Sequence, residues 1–351
     1  MIACELSTHQ HTVSNAHNGS INAVTISADG LLLATAGNDK DIKLWHTNTK
    51  TFRSPALIGH GNSVLSLSFH PNNKLLASGA ANGEIKFWDV TTNQILHTIK
   101  QGDSNAHTNG VSSIAFSPDG KYLATGSWDN KAKLWDVASY KWIRDFSGHN
   151  GGVNSLAFAP DSQMLITGSH DQTVRMWDVN KGTIIGSPLG HSKDISSVAI
   201  SPDGKTFASA DWNGTIKIWS LPAGTWQRDI HGHNGGTACL AFSPRGDMFV
   251  SGGSDNQIKL WKADGSYIRT LPTTNAHNAL VRSLAYHPHG QQLISGSEDQ
   301  SIKYWGCCAA GQHICSTQCI DLLYNDENCG ACGNKCPPST SCSNGICTLP
   351  R

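Results

Sequence analysis

Charge is scarce in this chain. Asp, Glu, Lys and Arg make up 15% of its 351 residues, against about 25% in an average globular domain. The 26 basic residues balance the 26 acidic ones, so the formal net charge is zero. A nucleic-acid surface needs a basic excess to neutralise phosphates, and a polybasic membrane anchor needs one too, so neither partner is expected. No run approaches the ~18 consecutive apolar residues of a membrane helix, so no transmembrane segment is expected. Residues 1–7 show neither a basic n-region nor an apolar h-region, so no signal peptide is visible. Walker, Rossmann, HExxH and EF-hand motifs are missing, which leaves an enzyme reading without residues and calls for no cofactor and no metal. Cysteine is nearly missing from the first 306 residues, which hold only Cys4 and Cys239. The other nine crowd into residues 307–351. That break divides the chain into a domain over 1–306 and a cysteine-rich module over 307–351.

What the chain does have is a repeat, and repeats must be found before the fold is read. Trp45, Trp88, Trp135, Trp177, Trp219, Trp261 and Trp305 are spaced by 43, 47, 42, 42, 42 and 44 residues. A second series runs in phase. His17, His60, His107, His149, His191, His233 and His277 each follow Gly or Ala and stand 28 residues before their Trp. Seven coincidences on two series exclude chance.

Each unit has the same grammar. An apolar strand (Val111 to Phe116) leads into the turn Ser117-Pro118-Asp119-Gly120. A second strand (Tyr122 to Ser127), an Asp-Asn turn, the Trp strand and a last strand (Trp142 to Phe146) follow. Four short segments with turns at this spacing predict a four-stranded antiparallel blade. The Gly-His and Trp-Asp pairs, as at Gly148-His149 and Trp177-Asp178, resemble those of the WD40 family over residues 1–306. Trp-Asp recurs at Asp89 and Asp136, while His46, Ser220, Lys262 and Gly306 take that place elsewhere. The resemblance implies an all-β fold, a seven-bladed propeller whose ring protects its strand edges. The last repeat ends at Trp305 without an outer strand, so residues 4–13 are expected to complete blade seven.

Every repeat carries His, Ser or Thr, and Asp, the ingredients of an acyl-transfer triad. One active site needs one such set; seven copies indicate a structural device. The resemblance implies a buried hydrogen-bond network within each blade. Its members are His17, Asp39 and Trp45; His107, Thr125, Asp129 and Trp135; His149, Thr167, Asp171 and Trp177; His233, Asp255 and Trp261; and His277, Asp299 and Trp305. In blades two and five Asn82 and Asn213 stand where the others carry Asp. Loss of the charge-assisted bond is expected to leave those two blades more weakly held. Asn18-Gly19-Ser20 and Asn213-Gly214-Thr215 are glycosylation sequons, although a tight turn explains Asn213-Gly214 unaided.

The resemblance also implies that the residue before the turn Asp projects to the top face of the ring. Those residues are Asn38, Ala81, Trp128, His170, Trp212, Ser254 and Glu298. Blades three to five thus offer Trp128, His170 and Trp212 side by side as a partner-binding arc. The alternative is that each Trp packs on a neighbouring turn. A protein or peptide is the partner the family implies, and an aromatic arc could also stack on a glycan.

The module at 307–351 is too short to build a core and needs covalent staples. Cys315, Cys319, Cys329, Cys332, Cys336, Cys342 and Cys347 are spaced as in a disulfide framework. Cys329 to Cys336 partly echoes a metal-ligand run, but paired CxxC motifs are missing. Gln318 to Leu323 and Asn328 to Cys336 resemble small modules of secreted fungal, bacterial-surface and plant stigma-type proteins. Nine cysteines leave one over, and the seam places Cys4 opposite Cys307 and Cys308. A disulfide from Cys4 to Cys307 or Cys308 is therefore expected. Disulfides imply an extracellular or cell-surface setting. The expected function is a non-catalytic extracellular binding scaffold. The competing expectations are a self-assembling structural subunit whose tail docks on a neighbour, and an intracellular scaffold with a metal-binding tail.

Overall fold

The computed structural model describes residue 6, residues 8–306 and, in the tail, residues 312–315, 318–321, 336, 341–343 and 346–348. The short alternating segments form seven four-stranded antiparallel sheets. Six blades span residues 21–57, 64–99, 111–146, 153–190, 195–231 and 237–270 in sequence order. Blade seven joins Val281–Tyr286, Gln292–Ser297 and Ile302–Gly306 to the N-terminal strand Thr8–Val13. Thr8 pairs with Gly306 and Val13 with Ile302, with a bulge between His9 and His11. Leu6, fully buried beside Trp305, extends the seam. The chain is an all-β, seven-bladed propeller, closed by its own beginning.

The local grammar has a physical cause in each part. In the first turn of blade three Gly120 adopts φ +74°, a left-handed conformation costly for any residue with a Cβ. Its N–H closes onto Ser117 O at 2.9 Å, and Ser117 Oγ binds Asp119 Oδ1 at 2.6 Å. Each Trp strand is covered by another sheet on both faces, one lined by apolar side chains and the other by the Trp with a Lys or Arg two residues before it. Ile42 and Leu44 are fully buried, and Trp45 is nearly so.

The first strand of every blade touches the first strands of the blades on either side, so these strands line the axis. Their small polar side chains stitch blade to blade. Asn22 Nδ2 donates to Val64 O at 3.0 Å, Ser66 Oγ to Val111 O at 3.0 Å, and Asn154 Nδ2 to Ile195 O at 2.8 Å. Ser112 and Ser196 do the same to Val153 O and Thr237 O. Between blades six and seven Cys239 takes this part, its Sγ 3.3 Å from Val281 O. Cys239 is a buried free thiol, and burial pushes its pKa up to about 12.

The core lies between blades. Among the described residues, each of seven buried clusters holds one repeat Trp together with side chains of the preceding blade. Trp88 packs with Ala34, Ile42 and Leu57 of blade one. Trp45 packs with Ile294, Ile302 and Tyr304 of blade seven, so the last interface repeats the first. Truncating such an indole costs about 3–5 kcal/mol in a packed core.

In the tail, Gln312–Cys315 pairs with Gln318–Asp321, and Ser341–Ser343 with Ile346–Thr348. Cys336 and Cys347 form a disulfide with Cα atoms 5.4 Å apart. The expected bond from Cys4 to Cys307 or Cys308 lies outside the described residues. So do Cys329 and Cys332, and the side chains of Cys315, Cys319 and Cys342. No helix of the described residues is long and apolar enough to cross a membrane.

Candidate binding site at the mouth of the central channel

The triad-like sets are brought together inside every blade. In blade three His107 Nδ1 lies 2.7 Å from Asp129, its Nε2 lies 2.8 Å from Thr125 Oγ1, and Trp135 Nε1 donates to the same Oγ1 at 2.9 Å. The corresponding distances are 2.8, 2.8 and 2.9 Å for His17, Asp39, Thr35 and Trp45. They are 2.8, 2.8 and 2.8 Å for His149, Asp171, Thr167 and Trp177. His233, Asp255, Ser251 and Trp261 give 2.7, 2.8 and 2.8 Å. His277, Asp299, Ser295 and Trp305 give 2.8, 2.7 and 2.9 Å.

Proton bookkeeping fixes the direction of each chain. The carboxylate only accepts, so Nδ1 carries the hydrogen and Nε2 accepts. The hydroxyl takes the indole N–H and gives its single proton to Nε2. All seven hydroxyls are fully buried, so each Oγ is a relay point in the core and not an exposed nucleophile. Burial lowers the pKa of His107, and the opposing bond from Asp129 does not offset it, so the imidazole stays neutral. Burial raises the Asp129 carboxyl, but the bonds from His107 and from the Thr108 and Lys131 N–H groups together outweigh it, and the group stays ionised.

Blades two and five correct the sequence expectation. His60 and His191 do not lose a charged partner. His60 Nδ1 meets Glu84 at 2.9 Å, and His191 Nδ1 meets Asp211 at 3.1 Å. Ser78 and Ser209 complete the relays to Trp88 and Trp219. Glu84 stands two residues after Asn82, with one more methylene to reach back. Asp211 stands two residues before Asn213, on the strand itself, where it is fully buried. Asn213 is an exposed turn residue, its N–H on Asp211 Oδ1 at 3.0 Å. Neither Asn is the acceptor in its network. An acid within two residues of the turn was visible in the sequence; that it could substitute from either side was not.

On the face where the second and third strands of each blade turn, a cavity of about 370 Å³ opens along the axis. One residue of each first strand lines it: Asn22, Leu65, Ser112, Asn154, Ser196, Ala238 and Arg282. Trp128, His170 and Trp212 stand on its lip, so the three arc residues converge on one opening. Trp128 is 40% exposed and Trp212 41%. Both indoles rest on glycine: a Cβ at Gly110 would collide with Trp128, and one at Gly236 with Trp212. Each Trp therefore packs on a turn and still offers aromatic surface to the opening. His170 Nδ1 is 3.8 Å from Asp194. Across the ring, Arg282 of blade seven is paired with Glu298, Nε to Oε1 at 2.8 Å. The lip is thus aromatic on the arc of blades three to five and ionic opposite. Among the described residues no cluster of His, Cys, Asp and Glu could hold a metal ion.

A closed seven-bladed ring, with a His–hydroxyl–Trp relay in each blade and its varied residues on one face, defines a repeat propeller. The chain belongs to the WD domain, G-beta repeat family, which it matches over residues 7–46, 50–89, 94–136, 140–178, 182–220, 224–262 and 265–306. Each match starts in an outer strand and ends at the Trp strand of the next blade. That phase difference is why residues 8–13 are needed to complete blade seven. Residues 296–350 match the stigma-specific STIG1-like protein family. Among curated proteins, the chain is 31% identical over 97 residues to the small ribosomal subunit protein RACK1 of Drosophila melanogaster, 28% of each chain. It is 34% identical over 74 residues to nuclear distribution protein nudF 2 of Talaromyces marneffei, 21% of this chain and 16% of that one. It is 30% identical over 83 residues to protein tipD of Dictyostelium discoideum, 24% of this chain and 13% of that one. The matches thus span less than a third of these relatives. WD40 propellers are typically non-catalytic scaffolds for protein interaction.

Proposed function

We propose that this chain is a non-catalytic, extracellular binding module that engages a protein or peptide partner at the mouth of its central channel. The observation that carries the reading is the pair Trp128 and Trp212, held half-exposed on glycine beside His170 over a cavity of about 370 Å³. Indoles fixed before binding lose little side-chain entropy on contact, which is why tryptophan concentrates at hot spots. The seven relays supply the rigidity such a platform needs. The extracellular part of the reading is supported by the STIG1-like match and the Cys336–Cys347 disulfide, because such bonds persist in oxidising compartments.

The test is a peptide library displayed against the full chain, repeated with the Trp128→Ala/Trp212→Ala variant. Peptides selected by the native chain should lose at least about tenfold in affinity, the size expected of a hot-spot aromatic. Undiminished binding would sink the reading.

A further inference from the structure

The Trp88-to-Trp135 interval is 47 residues where the others are 42 to 44. The structure places the excess between Ile99, the end of blade two's outer strand, and Val111, where blade three begins. Residues 100–106 fold into two consecutive turns, with Asp103 N–H on Lys100 O and Ala106 N–H on Asp103 O, both at 3.0 Å. They wall a cleft of about 330 Å³ on the outer rim between blades two and three, away from the channel mouth. Insertions in single repeats are where a repeat protein departs from its scaffold task.

The opposite wall is aromatic. Trp142, on the outer strand of blade three, is 38% exposed, and its Nε1–H is tied to Asp145 Oδ1 at 2.9 Å, so the indole has a fixed orientation. Asp145 is itself held by Lys131 at 2.7 Å and Lys133 at 2.9 Å. Beside it Tyr140 and His97 stack with centroids 4.8 Å apart and planes within 8°. The inserted turns bring the polar lip. Asp103 Oδ2 is fixed by Lys100 N–H at 2.7 Å, leaving Oδ1 to accept from a ligand. Asn105 and Lys141 add an amide and an ammonium donor.

We propose that this cleft is a saccharide site that holds a pyranose ring against Trp142, with the sugar hydroxyls on Asp103, Asn105 and Lys141. A pyranose has an apolar C–H face that fits an indole and a rim of hydroxyls that both donate and accept. The carboxylate of Asp103 disfavours a phosphate-bearing ligand. A volume near the lower end of ligand pockets, about 300–1,000 Å³, suits one or two sugar rings. Blade five supplies an internal control. Trp226 is 55% exposed and tied to Asp229 at 2.7 Å, the same anchor without an inserted loop beside it.

The test is an array of β-glucans, chitooligosaccharides, xylans and galactans probed with the full chain. Carbohydrate binding should fall at least about tenfold in Trp142→Ala, as for loss of a stacked hot-spot aromatic. It should fall as far on deletion of residues 101–105, which restores the 42-residue interval. Trp142→Phe should retain part of it, and Trp226→Ala and Trp128→Ala/Trp212→Ala should change nothing. Thermal melts of each variant exclude misfolding as the cause. A silent array, or binding indifferent to Trp142 and to the loop, overturns the proposal. Binding lost only in the Trp128/Trp212 variant also overturns it, and assigns the sugar to the channel mouth instead.

Discussion

Blades two and five reach the same hydrogen-bond network as the other five by a different route. In five blades the acid sits at the turn, six residues before the Trp. In blade two it sits two residues later and is a glutamate; in blade five it sits two residues earlier and is buried within a strand. The relay constrains where a carboxylate must arrive beside Nδ1, not which position sends it. A repeat protein can therefore change its sequence at a network position while keeping the network.

The comparison can be broken by removing the displaced acids. Asp211→Ala should be the most damaging change. It strands His191 and also the backbone N–H groups of Asn213 and Thr215, all bound to that carboxylate. Leaving a buried donor without its acceptor costs about 1–3 kcal/mol, and here several lose theirs at once, readable as a lowered urea midpoint. A cost no larger than that of a surface substitution would show that blade five does not depend on its displaced acid.

Glu84→Gln should cost less, about 1–3 kcal/mol, because an acceptor remains beside His60 while the charge that also pairs with Lys86 at 3.1 Å is lost. Adding Asn82→Asp restores an acid at the common position. The double variant should regain most of the loss in the same urea titration. If it does not, blade two has come to require its own arrangement.

Acidification gives the smallest effect per step. His60, His107 and His277 are lowered from 6.5 chiefly by burial, which outweighs their carboxylate partners. The unfolded chain therefore takes up these protons first, and stability present above pH 6.5 is lost as pH falls below it. A second loss follows below about pH 4. The folded carboxyls of Asp39, Asp129, Asp211 and Asp255 lie below 3.8, because hydrogen bonds outweigh burial. Melting temperature measured from pH 8 to pH 3 should be flat, then fall in these two stages. A melt unchanged between pH 7 and pH 5 would contradict the neutral, buried state of the three imidazoles.

The ring was legible because its two series are obligatory: the His and the Trp each fill a place no other side chain fills as well. The seam was legible for a related reason, since a missing outer strand must come from somewhere. The acids of blades two and five were not, because a carboxylate on a flexible or displaced stem reaches the same imidazole from several positions. The glycine seats under Trp128 and Trp212 were hidden too, since Gly110 and Gly236 belong to different turns from the indoles they support. The 47-residue interval was plain to count, but nothing in the count says that the extra residues wall a cleft. The tail shows its chemistry in composition, and the Cys336–Cys347 bond agrees with a disulfide reading.

The seam has a consequence for how the protein is made. Thr8–Val13 leaves the ribosome before any other strand of the ring, yet its sheet partner among the described residues, Ile302–Gly306, follows almost 300 residues later. Six blades can form in order of emergence, each from its own contiguous strands, while this strand waits with one edge unpaired. A nascent chain halted before residue 302 therefore carries an open ring and an unsatisfied strand, the two features that invite pairing with another molecule. The first strand of the ring to emerge is the last to be secured, so the interval between is when this protein most needs protection.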